Sequence, residues 1–187
     1  MIECVLRGVQ VLWLVPLLFA ACAWPARADD ERERFVSANI CETTQRLKAL
    51  ANAPQKRKSA PDWQGRYLIV GRKNKPEAFS QCIMSPSERA IRCEAASGRF
   101  LKDAAREAQL FGPDGRTRIE TIGFAPPEGV GNYWLTRTLG TEPKDIEAIA
   151  RLMLSAVFDG YGPLVEPRPS YVSPMIEPFV PSCSPVS

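Results

Sequence analysis

The sequence contains no histidine, and this absence excludes several kinds of chemistry. Ser-His-Asp and Cys-His catalysis, histidine-ligated metal sites and the histidine pH switch all need an imidazole group. The charges are nearly balanced, with 24 Lys and Arg against 21 Asp and Glu, so the net charge is only +3. Such a small excess argues against a dedicated nucleic-acid binder. Neither nucleotide-binding loop, G-x-x-x-x-G-K-[ST] or G-x-G-x-x-G, occurs in the sequence.

The first part of the chain has the pattern of an export signal. Residues 9–24 carry no charge, and this run is shorter than the roughly 20 apolar residues that a membrane span needs. Ala26-Arg27-Ala28 then places small residues three and one positions before a cut after Ala28. We therefore predict that residues 1–28 are a cleaved secretory signal peptide and that the mature protein begins at Asp29.

This signal predicts a periplasmic or secreted protein with no membrane span after cleavage. Two alternatives remain for the same segment. Phe19-Ala20-Ala21-Cys22 is similar to a bacterial lipobox, in which Cys22 would carry lipid and anchor the chain as a lipoprotein. In the second alternative, the apolar run is an N-terminal anchor that is not cleaved.

Four cysteines remain in the predicted mature chain, namely Cys41, Cys82, Cys93 and Cys183. An even number in an exported chain favours disulfides, and four cysteines allow three pairings. Cys82 and Cys93 flank the turn sequence Ser85-Pro86-Ser87-Glu88, and a hairpin there would place them nearly opposite each other. This pairing leaves Cys41 to bond with Cys183, which would join the tail to the first helix.

Other interpretations of the cysteines stay open. A four-cysteine zinc site would normally show a C-x-x-C pair, which this sequence lacks. Buried free thiols are the plainest alternative. Cys183, within Pro-Ser-Cys-Ser-Pro, also fits a redox-active thiol of the tail, although no neighbouring charge in the sequence would activate it.

Hydrophobic periodicity divides the mature chain into helices and strands. Apolar residues at helical spacing predict helices over 31–52 and 98–111, and a last helix with Thr141 as candidate N-cap, Pro143 in its first turn and Gly160 as its stop. Alternating or short apolar runs predict strands over 66–71, 77–85, 88–97, 116–124 and 132–139. The predicted order is α-β-β-β-α-β-β-α. A fold of the α+β class satisfies this order, with an antiparallel sheet of about five strands flanked by three helices.

A proline-rich C-terminal tail, residues 163–187, follows the predicted domain of residues 29–162. The seven prolines of the tail argue against regular secondary structure there. Its many apolar side chains, among them Tyr171, Ile176 and Phe179, are not typical of a solvated linker. We therefore expect the tail to lie extended against a surface, either that of its own domain or that of a partner.

The element order over residues 31–162 resembles the type III secretion chaperone-like fold, in particular the bacterial domains with this predicted fold that occur outside secretion loci. Three local features carry the resemblance. They are the strand pair YLIVG…FSQCIMS within residues 67–85, Asn132-Tyr133-Trp134 at the start of the fifth predicted strand, and a final helix that starts near Glu142-Pro143 and ends in Val157-Phe158-Asp159-Gly160-Tyr161-Gly162.

The resemblance implies a small, often dimeric binding module that holds a non-globular stretch of another protein on its sheet and helices. It implies no cofactor, no metal and no catalytic residue. We therefore expect an exported, chaperone-like module whose partner is a protein of the cell envelope, with a homodimer as a further expectation and no nucleic acid.

Two adjacent aromatic residues of the last predicted strand are candidates for ligand contact. Tyr133 and Trp134 point to opposite faces of one strand, so we expect one in the core and the other on the surface. The alternative function is a cell-envelope enzyme of unknown type that acts on peptidoglycan or carbohydrate through carboxylates. The candidate carboxylates, each of which also fits a solvated surface position, are Glu120, Glu128, Asp145 and Glu147.

Overall fold

The computed structural model describes the chain over residues 24–53, 65–85, 88–101, 104–112, 114–129, 131–139, 143–161 and 166–183, with side chains from Asp29 onwards except those of Ala104, Ala108 and Pro143. The helices in these ranges are α1 (Trp24–Asn52), α2 (Ala104–Leu110), α3 (Gly115–Ile122) and α4 (Pro143–Gly160). The strands are β1 (Tyr67–Arg72), β2 (Lys75–Ser85), β3 (Ala90–Ala95), β4 (Tyr133–Thr138) and β5 (Ser170–Val172).

The five strands form one antiparallel sheet in the order β4-β3-β2-β1-β5. β2 and β3 are the two arms of the predicted hairpin, and Cys82 lies directly opposite Cys93. β4 continues the sheet beyond β3, where Leu135 lies opposite Cys93. β5 closes the other edge, with Tyr171 opposite Val70 of β1. The predicted α+β class and the five-stranded antiparallel sheet are confirmed.

Three predicted details of this architecture are wrong. Residues 116–124, predicted as a strand, form the helix α3 and its end at Gly123, which adopts the left-handed conformation. The missing strand comes from the tail, where β5 pairs with β1 although prolines argue against regular structure there. The observed order is consequently α-β-β-β-α-α-β-α-β. The helix predicted over 98–111 is also shorter, because α2 begins at Ala104.

The predicted signal peptide lies almost wholly outside the described part of the chain. Residues 1–23 are outside it, and α1 begins at Trp24. The predicted cleavage site between Ala28 and Asp29 falls within this helix. The domain boundary after residue 28 therefore stays a prediction.

One face of the sheet is covered by α1 and α4, and the core lies between these layers. Strand side chains alternate, so Leu68 and Val70 of β1 both point into this layer and are fully buried. Leu154 and Val157 of α4, and Leu47 of α1, meet them without exposure to solvent. Burying each such side chain stabilises the fold by about 1.5–3 kcal/mol. This helix-covered face therefore supplies most of the stability.

Two disulfides cross-link the fold, one within the sheet and one between the first helix and the tail. Cys82 and Cys93 connect β2 to β3 on the helix-covered face, where both side chains are fully buried. Cys41 in α1 is exposed and bonds to Cys183 in the tail, across a sequence separation of 142 residues. These are the two pairings predicted from the sequence.

A stacked arginine holds the tail on α1 beside the second disulfide. The guanidinium carbon of Arg46 lies 4.6 Å from the ring centroids of both Tyr171 and Phe179. Arg46 also donates to the Glu177 carboxylate at 2.6 Å, and the Tyr171 hydroxyl lies 3.0 Å from the Thr43 hydroxyl. Burial raises the pKa of Tyr171 to about 12, so this phenol keeps its proton at neutral pH. Residues 171–183 therefore pack on their own domain.

A buried carboxylate near the end of α4 makes folding stability depend on pH. Asp159 lies 3.6 Å from Arg32 and 3.6 Å from Arg118, and both arginines are partly exposed. Burial raises the pKa of Asp159 above its ordinary value, and the two arginines offset this only in part. Because the pKa of Asp159 is higher in the folded protein than in the unfolded chain, protonated Asp159 contributes favourably to folding stability. This contribution is complete below the unfolded pKa. It is lost as pH rises through the folded pKa.

We expect Asp159→Asn to be more stable than the wild type at pH 7 and equally stable at pH 3. The substitution removes the cost of burying a charge, while the two partly exposed arginines return to water with little loss. The measurement is urea unfolding of the oxidised protein at both pH values, with Glu120→Gln on the exposed side of α3 as the control. A lower stability of Asp159→Asn at pH 7 would contradict the expected sign.

The opposite face of the sheet, here called the open face, carries side chains that are half-buried or exposed within the described ranges, apart from Ser85 at the end of β2. Strand register places five of them in one row across the sheet. In order across the strands, the row is Val172, Ile69, Gln81, Glu94 and Trp134. At the β4 end, the row runs into a cavity.

Candidate functional site

A cavity of about 390 Å³ lies on the open face at the β3–β4 end of the sheet. This volume falls within the usual range for ligand sites, roughly 300–1,000 Å³. The sheet supplies its floor, and the segments around Phe100 and Glu128 supply its walls. The lining residues are Arg92, Glu94, Phe100, Glu128, Gly131, Asn132 and Trp134.

The two aromatic residues predicted as ligand-facing lie on opposite sides of β4. Tyr133 is 5% exposed and packs edge-on against Phe111 on the helix-covered face. Burial raises the pKa of its phenol. Trp134 points the other way and lines the cavity, with the Arg92 guanidinium 5.9 Å from its ring centroid. Of these two aromatic side chains, only that of Trp134 is therefore placed to contact a ligand in this cavity.

Glu94 organises the floor of the cavity through both of its carboxylate oxygens. One oxygen accepts hydrogen bonds from Gln81 at 2.9 Å and from Asn132 at 3.1 Å. The other oxygen lies 3.3 Å from Nε of Arg92. A ligand would have to displace one of these donors to reach Glu94. This carboxylate therefore serves to orient Arg92 and Asn132.

Hydrogen bonds to Ser97 and Asn132 hold the two walls together. The Ser97 hydroxyl donates to the Gly131 carbonyl at 2.7 Å, and the Ser97 amide donates to the Asn132 side-chain oxygen at 3.2 Å. Gly98 follows with a φ of 76°, a backbone conformation that residues other than glycine rarely adopt. The resulting turn leads to Phe100, whose side chain is 65% exposed at the cavity.

Of the carboxylates considered from the sequence, only Glu128 lines this cavity. Glu120 is exposed on α3, whereas Asp145 and Glu147 belong to the first turns of α4. Glu94 is the second carboxylate of the cavity. Sequence reasoning did not select it because its alternation within β3 indicates only an ordinary outward-facing strand residue.

No protein-family model, curated protein or solved structure matches this chain. The function of the cavity has to follow from its own geometry and chemistry. Within the described ranges, no group of three or more cysteine, aspartate or glutamate side chains is arranged to hold a metal ion. Among the helices that the structure describes, none is long and apolar enough to cross a membrane.

Phe100 and Asn132 are further cavity residues that the sequence did not single out as a site. Phe100 lies in the first turn of the helix predicted over 98–111, and Asn132 opens a predicted strand, so each has an ordinary structural explanation. Their contribution depends on the approach of two loops that lie about 30 residues apart in the sequence. A phenylalanine two residues after a glycine is the one local feature of the sequence at this wall, and it does not show where the side chain lies.

Proposed function

We propose that this protein is an exported, chaperone-like binding module that holds an extended segment of another cell-envelope protein on its open face, without catalysing a reaction. The observation that supports the proposal is the row of side chains on the open face, which runs from Val172 to Trp134 in the cavity. The row combines apolar residues at one end with a mixed aromatic and polar cavity at the other. Such a combination is typical of sites that bind protein segments.

The dimensions of the open face suit an extended segment of moderate length. Five strands at about 4.8 Å spacing make the row about 19 Å long. An extended chain advances about 3.3 Å per residue, so the row matches about six residues of a bound segment. Ile69 and Val172 offer apolar contacts at one end, and Trp134 offers a large aromatic contact at the other.

The two disulfides support an oxidising compartment, which is consistent with export. Periplasmic residence or secretion after cleavage at Ala28, and the chaperone-like family itself, are part of the same proposal. The proposal also includes a homodimer. Analytical ultracentrifugation of the oxidised protein tests this oligomeric state separately.

The binding proposal predicts that a photo-crosslinker at position 100 captures a protein segment in cells that export this chain. Phe100 is replaced by p-benzoylphenylalanine, and the cross-linked peptides are mapped by mass spectrometry. The control places the same crosslinker at Lys48, which is exposed on α1 on the other side of the sheet.

We expect the position-100 product to map to one continuous segment of a partner, and Trp134→Leu to weaken its formation. The Lys48 position should not give this product. Equal capture from positions 48 and 100, or no protein product from position 100, would contradict the proposal.

A second candidate, a cell-envelope enzyme that acts on peptidoglycan or carbohydrate, is favoured by the presence of both Glu94 and Glu128 in one cavity. Incubation of the oxidised protein with peptidoglycan, or with a soluble oligosaccharide, tests it. Release of soluble fragments by the wild type, lost in Glu128→Gln, would support the enzyme and exclude a purely binding role.

A further inference from the structure

Two groups that line the cavity lack interaction partners within the described ranges. The Phe100 ring makes no aromatic or cation contact there, and the residue is 65% exposed. The Glu128 carboxylate makes no hydrogen bond or ion pair there, and the residue is exposed. One group is apolar and the other is anionic, and both face the same space.

The other charges of the cavity are already balanced locally. Arg92 pairs with Glu94, and its guanidinium lies over Trp134. Arg99 does not line the cavity, and it donates to the Gly129 carbonyl next to Glu128. Arg99 thereby holds the loop that carries Glu128. Glu128 is the one lining carboxylate whose oxygens are both free of partners among the described residues.

Aromatic rings and a free carboxylate favour the same sign of charge in a ligand. The faces of Trp and Phe rings carry partial negative charge and attract cations within about 6 Å of the ring centroid. A lysine or arginine side chain has an apolar stem that packs on aromatic rings and a cationic end that pairs with a carboxylate. An acidic side chain would meet the ring faces and Glu128 with the wrong charge.

We propose that the cavity receives a lysine or arginine side chain of the bound segment, with its stem between Phe100 and Trp134 and its cationic group on Glu128. This inference rests on the proposed binding function and specifies which residue anchors the segment. Because Glu128 is exposed, the interaction is screened by salt, and its contribution is one of selectivity more than of overall affinity.

The test uses labelled extended peptides of one scaffold in which a central position is Lys, Arg, Gln or Glu. Binding to the oxidised full chain is measured by fluorescence anisotropy at low and at physiological ionic strength. We expect the Lys and Arg peptides to bind about tenfold more tightly than the Gln peptide at low salt. The Glu peptide should bind most weakly, and added salt should reduce the differences.

Three variants separate the contributions of the cavity groups. Glu128→Gln should remove most of the preference for the basic peptides, and Glu128→Lys should reverse the order of the Lys and Glu peptides. Phe100→Ala should weaken the basic peptides without changing the sign of the preference. The matched control, Glu120→Gln, removes an exposed carboxylate outside the cavity and should leave all four affinities unchanged.

The possible outcomes distinguish this inference from the binding function on which it rests. Equal affinity for all four peptides, lost in Trp134→Leu, would overturn the basic anchor and leave the binding function supported. Preference for the Glu peptide would also overturn the basic anchor. Binding of none of the peptides, together with binding of a soluble oligosaccharide, would overturn both proposals.

Discussion

Replacing Cys41 and Cys183 together by alanine should lower the free energy of unfolding by about 5 kcal/mol. The bond closes a loop across a sequence separation of 142 residues, and the chain-entropy model gives a larger effect for longer loops. Whole domains of this kind have a stability of only about 5–15 kcal/mol. The double variant is therefore expected to lie near the limit of folding, with β5 and the segment up to residue 183 less firmly held on α1.

Urea unfolding under non-reducing conditions measures this effect, and the Cys82–Cys93 pair supplies the comparison. That pair has a sequence separation of 11 residues, for which the same model gives about 3 kcal/mol. Mild reduction followed by alkylation adds an independent readout. The exposed Cys41 should be modified long before Cys82 and Cys93, which are fully buried. A loss below 2 kcal/mol for the long loop, or earlier modification of the buried pair, would contradict this account.

Gly115→Ala should destabilise the fold by about 3 kcal/mol, because α3 starts in direct backbone contact with the end of α4. A Cβ atom at Gly115 would lie 2.0 Å from the Gly160 carbonyl oxygen and 2.9 Å from its carbonyl carbon. Neither backbone atom can turn aside, so one of the two helices would have to move. For a protein of this size, the midpoint of thermal unfolding should fall by about 6–12 °C.

Two further variants test whether this loss of stability is specific to Gly115. Gly160→Ala should cost less, since its Cβ would meet the flexible end of Ile119, at 2.6 Å from Cδ1. Thr117→Ala changes an exposed residue of the same helix and should stay within about 0.5 kcal/mol of the wild type. A midpoint for Gly115→Ala equal to that of Thr117→Ala would show that the two helices do not touch at this glycine.

The elements with strong local signals could be predicted from the sequence, and those defined by tertiary contacts could not. The hairpin of β2 and β3 follows from alternation around a proline turn, and α4 follows from a continuous apolar stripe. Residues 116–124 also alternate at their start, with Thr117 and Ile119 between charged neighbours, so the period-2 pattern indicated a strand. The helix forms there instead because Gly115 allows close contact with Gly160 and Ile119 becomes fully buried.

The tail and the cavity show two other limits of sequence reasoning. Ser170–Val172 is a three-residue stretch between prolines, too short to carry a periodic signal, but an edge strand tolerates flanking prolines. In the cavity, Trp134 was identified because a strand necessarily presents adjacent aromatics to opposite faces. Its neighbour Phe100 reaches the same space only through the turn at Gly98, and the sequence contains no signal for how that turn is directed.

The nested arrangement of the disulfides has a consequence for how the chain matures. When it enters an oxidising compartment with its N-terminus first, Cys41 meets Cys82 before Cys183 has arrived. An oxidase that joins cysteines in order of arrival therefore makes the non-native Cys41–Cys82 bond first. Attack by the Cys93 thiolate, or by an isomerase, then releases Cys41 to wait for the last residues of the chain. With such an oxidase, correct maturation of the exported chain would depend on disulfide exchange as well as on oxidation, and its final step would follow complete translocation.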